Sequence, residues 1–217
     1  LMTYGSFWGD GAERGPDFTA EALHRTSVSM GTYYEAEIAK IRPVTQDDKD
    51  MITTRVAREI HTNLYDSGAG VIRLNAAQTF AYQELITHYT RMFTDQTYVE
   101  AFQNGRIKSY ISNPADIKAL AGYFFWGGWV SGANRPGEIY SYTHNWPYDP
   151  AVGNFPTYAT YIWSFLSIFV LFLGTMLVLY VYGEMKTLPG EPFNGRDWSL
   201  TTVDLENKGD AYVRPTQ

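Results

Sequence analysis

Thr157–Tyr182 reads TYATYIWSFLSIFVLFLGTMLVLYVY, and it is apolar on every face of a helix. It lies inside a longer stretch, residues 150–183, that carries no formal charge. Crossing a hydrocarbon layer of about 30 Å takes about 20 apolar residues, so the stretch is long enough. Trp146, Tyr148, Tyr158, Tyr161 and Trp163 crowd one boundary and Tyr180 and Tyr182 the other, as aromatic side chains do at bilayer interfaces. A core helix of a small domain would show a polar stripe, because its neighbours cannot cover every face. The segment is therefore expected to span a membrane.

Working outward from the span divides the chain in three. Residues 1–150 form a soluble domain, 156–184 the transmembrane helix, and 185–217 an extended polar tail with prolines, glycines and no helical period. Arg135 precedes the span, whereas Lys186 and Arg196 follow it, which favours a cytoplasmic tail. No signal peptide is visible, so an amino-terminal signal or anchor is expected to have been removed or to be missing from the sequence.

Composition excludes several functions. The 217 residues contain no cysteine, which rules out disulfides, Cys-ligated metal centres, a cysteine nucleophile and haem attached through CxxCH. With 17 basic against 23 acidic residues and a net charge of -6, the chain lacks the clustered cations that nucleic acid requires.

The soluble part reads as mainly α. One helix is expected over Phe18–Ile41, capped by Asp17 or Thr19 and closed by Arg42-Pro43; a second runs from Thr45 to about Leu64. Asp66–Gly70 breaks the chain before a short extended piece, Val71–Leu74. Asn75 caps a helix to about Phe93, a short helix is expected over Thr97–Gln103, and Asn113-Pro114 opens another that Asn134–Gly137 ends. Glu138–Thr143 alternates as a short strand would.

None of His24, His61, His88 and His144 lies within the span, so an intramembrane haem held by this chain alone is not expected. His144 stands out because it adjoins Asn145-Trp146-Pro147-Tyr148 at the membrane boundary; the others read as helix-surface or loop residues. Glu35/Glu37 and Asp47/Asp48/Asp50 read as a solvated face and a helix amino-terminal charge cluster. No GxSxG elbow is present. In Gly9–Asp17 (GDGAERGPD), glycines alternate with carboxylates, a composition that can turn oxygens toward a hard cation, although the spacing is not that of an EF-hand.

Four groups of residues carry a resemblance. Gly5–Gly11 (GSFWGDG) is followed by Gly15–His24 (GPDFTAEALH), then Phe124-Phe125-Trp126 with Trp129, then Glu138–Tyr148 (EIYSYTHNWPY). In order and spacing, residues 1–185 resemble the amino-terminal region of quinol-dependent nitric oxide reductases, within the haem-copper oxidase superfamily. The resemblance implies a periplasmic, cytochrome c-like domain that has lost its haem c, attached to a bacterial cytoplasmic (inner) membrane. It implies a haem-copper-type catalytic core as partner, bearing haem b and non-haem iron, together with the quinol pool and membrane lipid. In haem c-bearing relatives a GEGAYxxPD loop supplies calcium ligands; aligned on Gly15-Pro16-Asp17, Gly11 takes the glycine position and Glu13 replaces the tyrosine. Calcium at Gly11 and Glu13 is thus the one cofactor expected on this chain. By the same resemblance His144, Trp146 and Tyr148 lie near the core and the approach of quinol, with interfacial anchoring as their plainer role. Two other assignments stay open: part of an NO dismutase-like enzyme, and a single-span accessory or assembly protein outside turnover.

Overall fold

The computed structural model describes residues 5–9, 15–95, 111 and 113–187, the last four without their side chains. The expected helix over Thr97–Gln103, the expected calcium ligands Gly11 and Glu13, and the tail beyond residue 187 lie outside the described residues. The chain falls into two compact units, Leu1–Tyr161 and Ile162–Gln217.

The first unit is mainly helical, as expected. Its elements are α1 (Phe18–Ala39), α2 (Gln46–His61), a hairpin of β1 (Tyr65–Asp66) and β2 (Val71–Ile72), α3 (Ala76–Thr94) and α4 (Pro114–Gly132). Each helix starts where a side chain meets the otherwise unpaired amide groups of the first turn. Asp17 accepts from Ala20 N, Thr45 and Asp48 form a reciprocal capping box on α2, and Asn75 and Gln78 do the same for α3. Asn113 caps α4 with Pro114 in its first turn.

α1 is the central element and packs on α2, α3 and α4. Its first turns supply Phe18 and Ala22 to a core with Leu85, Tyr89, Met92 and Phe93 of α3 and Ile117, Ala121, Phe124 and Phe125 of α4. The rings of Phe18 and Phe124 stack at 4.3 Å, and burying each contributes about 1.5–3 kcal/mol. Further along α1, Leu23, Met30 and Tyr34 meet Ile52, Val56 and Ile60 of α2, Ala77 and Ala81 of α3, and Val152. Gly128 lets α4 approach α1 closely: a Cβ there would stand 3.0 Å from the backbone nitrogen of Leu23.

Two expectations fail here. Glu138–Thr143 is not a strand; one isolated bridge pairs Asn134 with Ser141. The segment's amide groups are taken by turns and side chains instead, since Glu138 N bonds Arg135 O across Pro136-Gly137, and Ser141 N bonds Asn145 Oδ1. Gly137 has φ +80, as the third residue of a type II turn requires. Nor is Asp48 a solvated charge: it is buried, accepts from Thr45 and holds Arg42 through both oxygens at 2.6 and 2.7 Å.

The second unit contains most of α5 (Tyr158–Thr187), in which Tyr158–Gly183 is long and apolar enough to cross a membrane.

Candidate functional site

Between α4 and α5 the chain makes a run of fixed turns. His144 and Asn145 both have positive φ, 54° and 59°, and the Trp146–Pro147 peptide bond is cis. Asn145 sustains this conformation by a reciprocal pair of bonds with Ser141: its N donates to Ser141 Oγ and its Oδ1 accepts from Ser141 N, both at 2.8 Å. Thr143 Oγ1 donates to the carbonyl of Trp146.

This folding gives each of the three sequence-predicted residues a separate neighbour. The His144 ring stacks on Tyr140 with centroids 4.7 Å apart, its Nδ1 lies 3.3 Å from Thr157 Oγ1, and its carbonyl accepts from Thr157 N. Trp146 lies against Gly9, where a Cβ would stand 3.0 Å from the indole. Trp146 thus meets the backbone two residues ahead of Gly11. Tyr148 is exposed and meets Phe155 edge to face at 5.5 Å. His144, Trp146 and Tyr148 thus each make a different contact: with Tyr140 and Thr157, with Gly9, and with Phe155.

After Tyr148 comes a tight hairpin in which Asp149 and Asn154 pair through both backbone bonds around a 3-10 turn, Pro150–Val152. Asn154 Nδ2 ties it to the carbonyl of Pro147 at 2.7 Å. Two histidines fasten it to the helices. His24 Nδ1 on α1 donates to Asp149 Oδ2 at 3.0 Å, and His61 Nε2 on α2 donates to the carbonyl of Val152 at 3.0 Å. Val152 itself is fully buried.

The other feature of the domain is a cleft of about 440 Å³ between α1 and α3, lined by Glu21, His24, Arg25, Glu84, His88 and Arg91 among others. Its floor is polar and largely closed to water. Glu21 Oε1 accepts from His88 Nε2 and from Arg25 Nε, each at 3.0 Å. Burial pushes the Glu21 carboxyl up, but the hydrogen bonds and charges of His88 and Arg25 outweigh it and hold Glu21 below its ordinary value. The arrangement suits a structural ion pair joining two helices. Among the described residues no three His, Asp or Glu side chains come together as a metal site.

Read from the sequence, His24, His61 and His88 belong on surfaces or in loops. His88 is instead buried, whereas His24 is exposed on α1 as read, and it and His61 also act as brackets. The signal for His88 is present, because Leu85, His88, Tyr89 and Met92 fall on one stripe of α3. The partners of His24 and His61 lie 125 and 91 residues away, and no local pattern announces them.

At the amino end, Asp17 does more than cap α1. Its Oδ2 accepts from Ser6 Oγ at 2.8 Å and from Gly9 N at 2.6 Å, while Ser6 N bonds the carbonyl of Pro16 and Phe18 N that of Ser6. Trp8 N bonds Thr19 Oγ1 at 3.1 Å. Ser6, Trp8 and Gly9 are therefore clasped to the start of α1.

No curated protein matches the chain. Residues 1–148 do match a known family, the NorB cytochrome c-like domain of nitric oxide reductase. The matched region takes in the clasp, the whole helical core and the turns through Tyr148, and by it the chain belongs to the NorB cytochrome c-like family of nitric oxide reductase.

Proposed function

We propose that this chain is the haem-free, cytochrome c-like part of a quinol-dependent nitric oxide reductase-like membrane complex. In that complex one quinol and two NO yield quinone, N2O and water. The chain covers and docks on a haem-copper-type core that bears haem b and non-haem iron, and does not itself carry out the chemistry. The observation that carries this is the family match over residues 1–148 in a chain that has no cysteine for thioether attachment of haem. α5 spans the bacterial cytoplasmic membrane, with the domain on the periplasmic side.

Gly11 and Glu13 contribute a carbonyl and a carboxylate oxygen to calcium. Supporting this, Asp17 binds Ser6 and Gly9 and so draws together residues that flank Gly11 and Glu13 in sequence, and hard cations prefer such donors. His144 and Trp146 brace the surface turned to the core, while Tyr148 stands at the membrane boundary.

The test is to purify the full chain from membranes in mild detergent and identify what stays bound. A multi-helix, haem b-bearing companion is expected, with NO consumption that depends on quinol and yields N2O. Oxygen as product would assign the complex to the dismutase type. Recovery without any haem-bearing companion would overturn the proposal in favour of an accessory protein. Glu13→Ala is expected to lower the calcium content of the complex.

A further inference from the structure

We infer that the exposed ring pair Tyr148–Phe155 seats the domain in the headgroup layer of the bilayer.

Formal charge is the first ground. Between Ile139 and Gly183 the one formally charged side chain is Asp149, and it is buried and bonded to His24. The surface that this stretch presents is therefore uncharged. It is also aromatic: Tyr148 and Phe155 are 59% and 55% exposed while their rings touch edge to face at 5.5 Å. Tyrosine and phenylalanine side by side offer an apolar body with one hydroxyl, which suits the boundary between acyl chains and water.

Distance is the second ground. Phe155 stands three residues before Tyr158, the first residue of α5, so at most about 10 Å of chain separates them. The headgroup layer is about 5–7 Å deep on each side of the hydrocarbon. With α5 crossing the membrane, a reach of about 10 Å allows Phe155 to lie in that layer, and Tyr148 is in contact with it.

Rigidity is the third. Rings on a loose loop would fold back, but these two flank a hairpin fixed by Asn154, His24 and His61. Trp146, the larger aromatic residue, is not part of the seat because it lies against Gly9.

The inference rests on α5 as a span and is independent of which reaction the complex performs. Because the chain has no cysteine, Tyr148→Cys, Phe155→Cys, Ile41→Cys and Leu173→Cys each give one labelling site. Each variant is labelled with an environment-sensitive fluorophore and reconstituted, with its companions, in nanodiscs. Nitroxides on the lipid headgroup and iodide in the water then serve as quenchers. Labels at 148 and 155 are expected to be quenched several-fold more by headgroup nitroxide, and several-fold less by iodide, than the label on the exposed Ile41 turn. Labels at 148 and 155 that behave like the one at 41, or that are screened from lipid and iodide alike by a partner protein, overturn the inference. The label at 173 reads the span separately through acyl-chain nitroxides. Its failure would sink the reading of α5 as a span, and the seat with it.

Discussion

Glu21 Oε1 and His88 Nε2 stand 3.0 Å apart and join α1 to α3 with side chains only 13% and 6% exposed. The pair is worth little relative to two apolar residues of the same shape, but losing one partner is costly. Glu21→Ala should destabilise the domain by about 1–3 kcal/mol, since His88 and Arg25 lose the carboxylate they share. Adding His88→Leu should recover part of the loss, and thermal unfolding of the four proteins of the cycle in detergent measures the coupling.

Acid should weaken the fold through several carboxylates at once. Glu21 and Glu59 are held below an ordinary value of 4.5; at Glu59 burial acts upward but bonds from Tyr34, Arg55 and Asn75 outweigh it. Asp48 is held well below 3.8 by Arg42 and Thr45, and Asp66 is lowered chiefly by Arg73. A carboxyl group whose folded value is depressed adds stability above its unfolded value and loses it as the pH falls toward the folded one. Unfolding midpoints should therefore be steady above about pH 4.5 and fall below it. Glu59→Gln should make that fall shallower.

Tyr34 acts at the opposite end of the scale. Burial and the hydrogen bond to Glu59 Oε2, 2.7 Å long, push its hydroxyl from 10.0 up to about 12. The sign is reversed, because the neutral form is favoured in the fold: the contribution is complete below pH 10 and disappears as the pH rises through about 12. Tyr34→Phe should be less stable than the parent at pH 8, and the two should converge under strong alkali. A constant difference would show that Glu59 does not depend on that proton.

Gly128 brings α4 against the backbone of α1. A methyl group there would lie 3.0 and 3.2 Å from the nitrogen and Cα of Leu23, atoms that cannot move without moving α1. At Gly122 the nearest obstacle is the Tyr82 hydroxyl at 3.2 Å, the end of a side chain that can swing aside. Gly128→Ala should cost about 1–3 kcal/mol and Gly122→Ala distinctly less, as read from unfolding in denaturant.

The helices are legible in the sequence because caps and periods are local. Asp17, Thr45, Asn75 and Asn113 each stand a few residues from the amide groups they serve. The long apolar helix α5 is legible from composition alone. The segment from Asn134 to Pro156 is not, because its conformation depends on Asn145 and Ser141 exchanging backbone for side-chain bonds and on two histidines reaching in from α1 and α2. Alternating polarity over Glu138–Thr143 suggests a strand, but no neighbouring strand exists for it to pair with among the described residues. For the same reason Trp146 and Tyr148, two residues apart, cannot be separated by inspection, though Trp146 is half-buried and Tyr148 exposed.

The clasp formed by Ser6, Gly9 and Asp17 has a further implication for how the protein can change over time. Asp17 holds Ser6 and Gly9 through one carboxylate oxygen and caps α1 through the other, so a substitution there would release both attachments at once.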